Sequence, residues 1–257
     1  MNEFLLFLGV GFLAQMVDGA LGMAYGVISS TVLLAFGVPP AHASAAAHTA
    51  EVFTTASSAT SHILHKNVDW KMFWRLAPFG VLGGVVGAYI LTSIDGNVLK
   101  PFVTAYLTVM GLYILYRAFR PPHVVTDHKL AVLAPLGSVG GLVDAVGGGG
   151  WGPVVTSTLL GSGSPPRYVV GTVNAAEFFL TVAISSTFLF ALLTGHWSDA
   201  SSIGTHAASV AGLAVGGLLA SPLAGFVVRI LPRKTLMLLV GCLIMVVAGV
   251  QTFQILS

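Results

Sequence analysis

Four of the chain's nine carboxylates, Asp18, Glu51, Asp144 and Glu177, stand inside long apolar stretches. A charged side chain in hydrocarbon costs at least about 2.5–3.5 kcal/mol on insertion scales, so carboxylates kept there call for a purpose. Either they relay a proton or cation beside a polar cavity, or they hydrogen-bond between helices in the neutral form. Asp18 and Asp144 have a third option, because each opens a glycine-rich break where an aspartate can cap exposed amides. The four form two pairs with one spacing: Asp144 follows Asp18, and Glu177 follows Glu51, by the same 126 residues. His48 and Asn174 hold equivalent positions three residues before Glu51 and Glu177, a spacing that shares one helix face. His48 can bind an anion when protonated, carry a proton, or simply bridge helices.

The breaks read Asp18-Gly-Ala-Leu-Gly-Met-Ala-Tyr-Gly26 and Asp144-Ala-Val-Gly-Gly-Gly-Gly-Trp-Gly152. Consecutive glycines are poor helix formers, and non-helical backbone at membrane depth persists only where protein or a water-filled cavity satisfies it. A helix restarting after such a break directs free amides and a positive dipole end inward, which suits an anion. Gly22, Tyr25, His48, Gly148, Gly149, Trp151 and Asn174 are therefore the candidate substrate-binding residues, and Asp18, Glu51, Asp144 and Glu177 the candidate coupling residues. Close helix packing competes for Gly22/Gly26 and Gly148/Gly152, which also fit small-xxx-small spacing. Ordinary aromatic packing competes for Tyr25 and Trp151. The hydroxyls at 29–31 and 156–158 can face an oxyanion or bond their own backbone. Gly83/Gly87 and Gly212/Gly216, inside long spans, read as packing positions.

The elements that must position these residues follow from composition. Of 257 residues, 55% are hydrophobic and 8% charged, with mean hydropathy +0.90, against about 25% charged residues in soluble domains. This is the composition of a polytopic helical membrane protein in contact with lipid. Phe4–Val17 lacks the basic start of a signal peptide and reads as the first embedded segment. The chain is written twice: Gly11–Phe53 lies on Gly137–Phe179 without a gap, and Pro39-Pro40 meets Pro165-Pro166. The expected organisation is a first repeat at 1–121, a cytoplasmic linker at 122–128 and a second repeat at 129–257, all in one integral membrane domain. Each half carries five apolar segments, at about 4–17, 22–37, 41–64, 72–93 and 98–119, then 130–143, 151–163, 167–194, 203–229 and 234–255. The last three of each can span a bilayer, which takes about 20 residues; the first two are expected to be short. Each repeat is thus a broken-helix hairpin plus three spanning helices.

With that count, ten of the eleven Lys and Arg residues fall on the cytoplasmic side and only Lys100 outside. The odd number of spans per half makes the repeats inverted, with both termini outside the cell membrane, a recurring plan of secondary transporters. A net charge of +2 without a basic stripe excludes nucleic-acid binding. The single cysteine, Cys242, excludes a disulfide scaffold. No zinc spacing, phosphate-binding loop or nucleophile elbow is present, so no metal, cofactor or enzyme activity is expected.

The two halves together resemble the sulfite exporter TauE/SafE family. The resemblance rests on a glycine-rich hairpin in each half (18–26 and 144–152), a hydroxyl-bearing apolar helix, and the following Pro39-Pro40 and Pro165-Pro166. The run Gly147–Gly150 with Trp151-Gly152-Pro153 is its most specific piece; the first copy departs, with Gly19-Ala-Leu-Gly22 in place of consecutive glycines. The resemblance implies a secondary transporter, generally an exporter, of sulfite or a small organosulfonate such as sulfoacetate. The expectation is alternating access with proton or sodium coupling and a small sulfur-containing anion held between the hairpin tips. No Lys or Arg is available at that depth, so Glu51 or Glu177 must be neutral or cation-paired when the anion is bound. The rival reading is a cation carrier or channel in which the same acids bind the transported ion.

Overall fold

The computed structural model describes residues 2–22, 24–94, 96–120, 129–161, 164–197, 207–230 and 233–256. The linker at 122–128 lies outside them. The described residues form helices and connecting turns without a strand. In order they are α1 (Asn2–Leu21), α2 (Tyr25–Ala35), α3 (Pro40–Leu64), α4 (Trp70–Ser93), α5 (Gly96–Ala118), α6 (Leu130–Gly147), a π-helical turn (Gly152–Thr156) running into α7 (Ser157–Gly161), α8 (Pro166–Leu193), α9 (Ala207–Ile230) and α10 (Arg233–Leu256). The chain is an all-α polytopic membrane protein. Trp70–Ser93, Leu130–Gly147 and Arg167–Leu193 are long and apolar enough to cross a bilayer.

Local chemistry sets the boundaries. Pro40 and Pro166 occupy the first turn of α3 and α8, where a missing N–H is harmless, each behind a second proline in extended geometry. Asp69 caps α4 by accepting from Lys71 N at 2.9 Å and Met72 N at 3.1 Å. Gly22 and Gly148 end α1 and α6 in the left-handed region, at φ 65° and 70°, which favours glycine.

The expectation of two short segments opening each half holds only for the second of them. α1 and α6 run 20 and 18 residues, about 30 and 27 Å, because the helix continues through Asp18 and Asp144. An apolar stretch ends at an acid, but the backbone does not when the carboxylate has partners. α2, with 11 residues, and the π-turn with α7, five residues each, are the short pieces.

Polarity is arranged inside out. Leu64, Leu193 and Phe253 are about three-quarters exposed, while Ser30, Thr31, His48 and Asp144 are buried. The repeats also exchange partners. α1 packs on α9, and its counterpart α6 packs on α4. Glycines permit both approaches: a Cβ at Gly87 would lie 2.7 Å from Leu142 O, and one at Gly212 2.6 Å from Phe4 O. α3 packs on α8 and α5 on α10. Thr55 Oγ1 and Thr181 Oγ1, equivalent at 126 residues, meet at 3.4 Å, and Ser58 donates to Asn174 Oδ1 at 2.9 Å. α3 and α8 therefore run in opposite directions where they touch.

Candidate functional site

The two breaks meet in the protein interior. A Cβ on Gly26 would fall 2.9 Å from Gly148 O and 2.7 Å from Glu51 Oε1, so only glycine lets the tips come this close. Hydroxyls lock them reciprocally. Ser30 Oγ donates to Gly147 O at 3.3 Å, and its repeat counterpart Thr156 donates to Gly22 O at 3.0 Å. Thr158 instead bonds Val154 O at 2.6 Å and is exposed, so it does not face the tips.

Each aspartate caps the helix beyond its own break, in the same way. Asp18 Oδ1 accepts from Ala24 N at 2.8 Å and Tyr25 N at 3.3 Å. Asp144 Oδ1 accepts from the equivalent Gly150 N at 2.6 Å and Trp151 N at 2.8 Å. Gly22 N bonds Asp18 O at 2.5 Å, and the Gly148 and Gly149 amides bond Asp144 O. This corrects the expectation of free amides turned toward a ligand. The donors are where the sequence puts them, but the protein's own aspartates hold them, because a buried unpaired N–H is too costly to leave. Tyr25 and Trp151 are likewise tied down: Tyr25 OH donates to Leu213 O at 2.7 Å, and Trp151 Nε1 to Val173 O at 3.2 Å.

Asp18, Glu51, Asp144, Glu177 and His48 are all buried, with Glu51 within electrostatic reach of the other four. His48 is fully buried. Its Nδ1 lies 2.8 Å from Ser44 O, which only accepts, so Nδ1 carries a hydrogen. Its Nε2 lies 3.0 Å from Asp144 Oδ2 and 4.0 Å from Glu51 Oε2. A second proton therefore sits in the His48–Asp144 contact, shared between an imidazole and a carboxylate. Glu51 Oε2 is buried with no hydrogen-bond partner.

The other half differs. Asn174 Nδ2 donates to Val170 O at 3.0 Å, the counterpart of Ser44 O, but its Oδ1 accepts from Ser58 instead of reaching across to Asp18. The structure brings Asn174 to α3, not into the acid pairing seen for His48.

Three participants escape the sequence reading. Ser44, four residues before His48, donates to Ala145 O at 2.5 Å and ties His48's helix to α6; helical spacing alone flags it. Tyr106, on α5, donates to Gly149 O at 3.2 Å, a contact with no local signal. Arg117, counted above only as a topological charge, reaches inward to Ser157 O at 3.0 Å.

Residues 7–251 match the family described as Sulfite exporter TauE/SafE. A Bacillus subtilis protein named "Probable membrane transporter protein YtnM" is 41% identical over 255 residues, covering 96% of this chain and 82% of that one. A Haemophilus influenzae protein named "Probable membrane transporter protein" is 31% identical over 108 residues, 42% of each chain. No solved structure matches. The chain belongs to the sulfite exporter TauE/SafE family, and it is a membrane transporter, not an enzyme.

Proposed function

We propose that this family member is a secondary active transporter that exports sulfite or a small organosulfonate, such as sulfoacetate, by alternating access with proton coupling. The observation that carries the reading is the meeting of two interrupted helices at a buried acid–histidine cluster. Interrupted helices that converge between two repeats are the usual seat of substrate and coupling ion in secondary transporters.

The two halves, 1–121 and 129–257, act as inverted repeats of one membrane domain in the cell membrane, with both termini outside. Opposed chain directions of α3 and α8 at Thr55/Thr181 support the inversion. Basic residues gather at one end: Arg167 Nε donates to Asn67 Oδ1 at 2.6 Å, Arg167 Nη2 to His65 O at 2.9 Å, and Lys234 Nζ lies 4.5 Å over the Phe119 ring. A single basic end supports a cytoplasmic assignment.

The anion sits between Gly22, Tyr25, Gly148, Gly149 and Trp151, with His48 and Asn174 beside it. Four ionised acids would repel it at this range, so Glu51 and Glu177 are neutral while it is bound, and protons, rather than sodium, provide the coupling. A cation carrier is the second reading, favoured by the same four carboxylates and by amides already occupied. Proteoliposome flux decides between them. Uptake of sulfite or sulfoacetate that responds to a pH gradient supports the anion transporter; flux of divalent or sodium ions with no anion flux supports the rival.

A further inference from the structure

Asp144 already occupies the place that an anion would take. Its carboxylate receives two backbone amides through Oδ1 and the His48 imidazole through Oδ2. That is the donor set a sulfonate needs, two fixed N–H groups and one cationic N–H, filled here by a tethered carboxylate. Asp18 receives the equivalent amides, but its histidine counterpart is Asn174, which is held by Val170 and Ser58. One break therefore has a complete anion seat and the other an ordinary helix cap.

We infer that Asp144 is an exchangeable internal ligand: the transported anion displaces its carboxylate from the Gly150 and Trp151 amides and from His48, and the displaced carboxyl takes up one proton. The inference rests on the proposed anion transport. The balance is simple. Before loading, His48 and Asp144 share one proton, so the pair is neutral. After loading, His48 is an imidazolium facing the sulfonate, Asp144 is a neutral acid, and one proton from water has entered against the one negative charge of the sulfonate group. No covalent bond is made. A singly charged sulfonate therefore loads without changing the net charge of the site, whereas sulfoacetate brings a second charge, on its carboxylate, that this exchange does not offset.

A further polar atom points into this seat. Glu51 Oε2 is buried without a hydrogen-bond partner, 4.0 Å from the same His48 nitrogen, and as a neutral acid it supplies a hydroxyl donor to the incoming oxygens. The other titratable groups within electrostatic reach of Asp144 are Glu177 on α8 and Tyr106 on α5, which donates to the Gly149 carbonyl, while Asp18 on α1 and Tyr25 on α2 face Glu51. Asp144 is the group that loses its hydrogen-bond donors in the exchange, so proton uptake is assigned to it, and D144N separates it from uptake by Glu51 or Glu177.

The test is proton uptake on binding to the purified, detergent-solubilised protein. Sulfoacetate is the probe because its charge is constant between about pH 6 and 8, where ordinary carboxylic acids are fully ionised. Binding heats measured in buffers of different ionisation enthalpy give the protons taken up per anion. The expected result is about one proton for the wild type, with Kd rising about tenfold per pH unit, close to zero with a flat Kd for D144N, and about one for D18N. Binding by the wild type without proton uptake overturns the inference, and so does uptake that survives D144N or vanishes in D18N. Should D144N fail to fold, a wild-type count of zero still overturns the inference. No sulfoacetate or sulfite binding at all by the wild type overturns the anion-transport reading as well, which separates the two failures.

Discussion

The two helix breaks use the same backbone device to different ends. In both, an aspartate in the last turn caps the next helix, a left-handed glycine ends the first, and a hydroxyl from the opposite repeat clasps the turn. Their chemistry parts at the residue three before each glutamate. Residue 48 is a histidine, whose second nitrogen crosses to Asp144; residue 174 is an asparagine, whose second polar atom turns to Ser58. The 126-residue repeat in the sequence thus carries a shared backbone device, and the side chain at 48 or 174 gives it different chemistry. Shared geometry is fixed by what buried amides require, whereas the chemistry rests on whichever side chain reaches the remaining carboxylate oxygen.

The scaffold can be broken first. Gly148→Val forces a β-branched residue into the left-handed region, at about 1–2 kcal/mol, and brings its Cβ to 2.5 Å from Ser30 Cβ. Loss of transport and of most folded protein is expected, measured by flux and thermal melting. Gly22→Val carries the same strain but meets the Val170 side chain at 3.1 Å, so it should be the milder of the two. Equal damage would mean that the second break has no tighter fit.

The asymmetry comes next. His48→Asn gives the second break the chemistry of the first and leaves Asp144 Oδ2 without its partner. We expect a stability loss of about 1–3 kcal/mol and flux that no longer responds to a pH gradient. Asn174→His probes the converse; a second coupled proton would show that residue type alone sets the difference, and unchanged coupling that Ser58 and Val170 also hold the position.

Smaller effects grade the supporting contacts. Tyr25→Phe removes the hydrogen bond to Leu213 O and should lower stability by about 1 kcal/mol. Thr55→Ala, at a 3.4 Å contact, should change melting by less than that. A large loss from Thr55→Ala would give the repeat junction more weight than its geometry suggests.

Much of this was legible in the sequence. Ten apolar segments, the 126-residue repeat and the paired acids follow from hydropathy and spacing, and each of the ten corresponds to a described helix or, at 151–163, to the π-turn with α7. The lengths of α1 and α6 did not, because hydropathy ends at Asp18 and Asp144 while the capped backbone stays helical. Spacing alone also placed amides at the tips but could not say that Asp18 and Asp144 occupy them, a matter of side-chain reach across six or seven residues. Nor did it separate His48 from Asn174 in role. Their helix positions are identical, and only the three-dimensional neighbour, Asp144 for one and Ser58 for the other, distinguishes them.

The account is tested most directly by an experimental structure of the protein with sulfoacetate bound. It should show the sulfonate between residues 22–26 and 148–152, on the Gly150 and Trp151 amides and His48 Nε2, with the Asp144 carboxyl turned away. A sulfonate bound elsewhere, with Asp144 still on both amides and on His48, would contradict it.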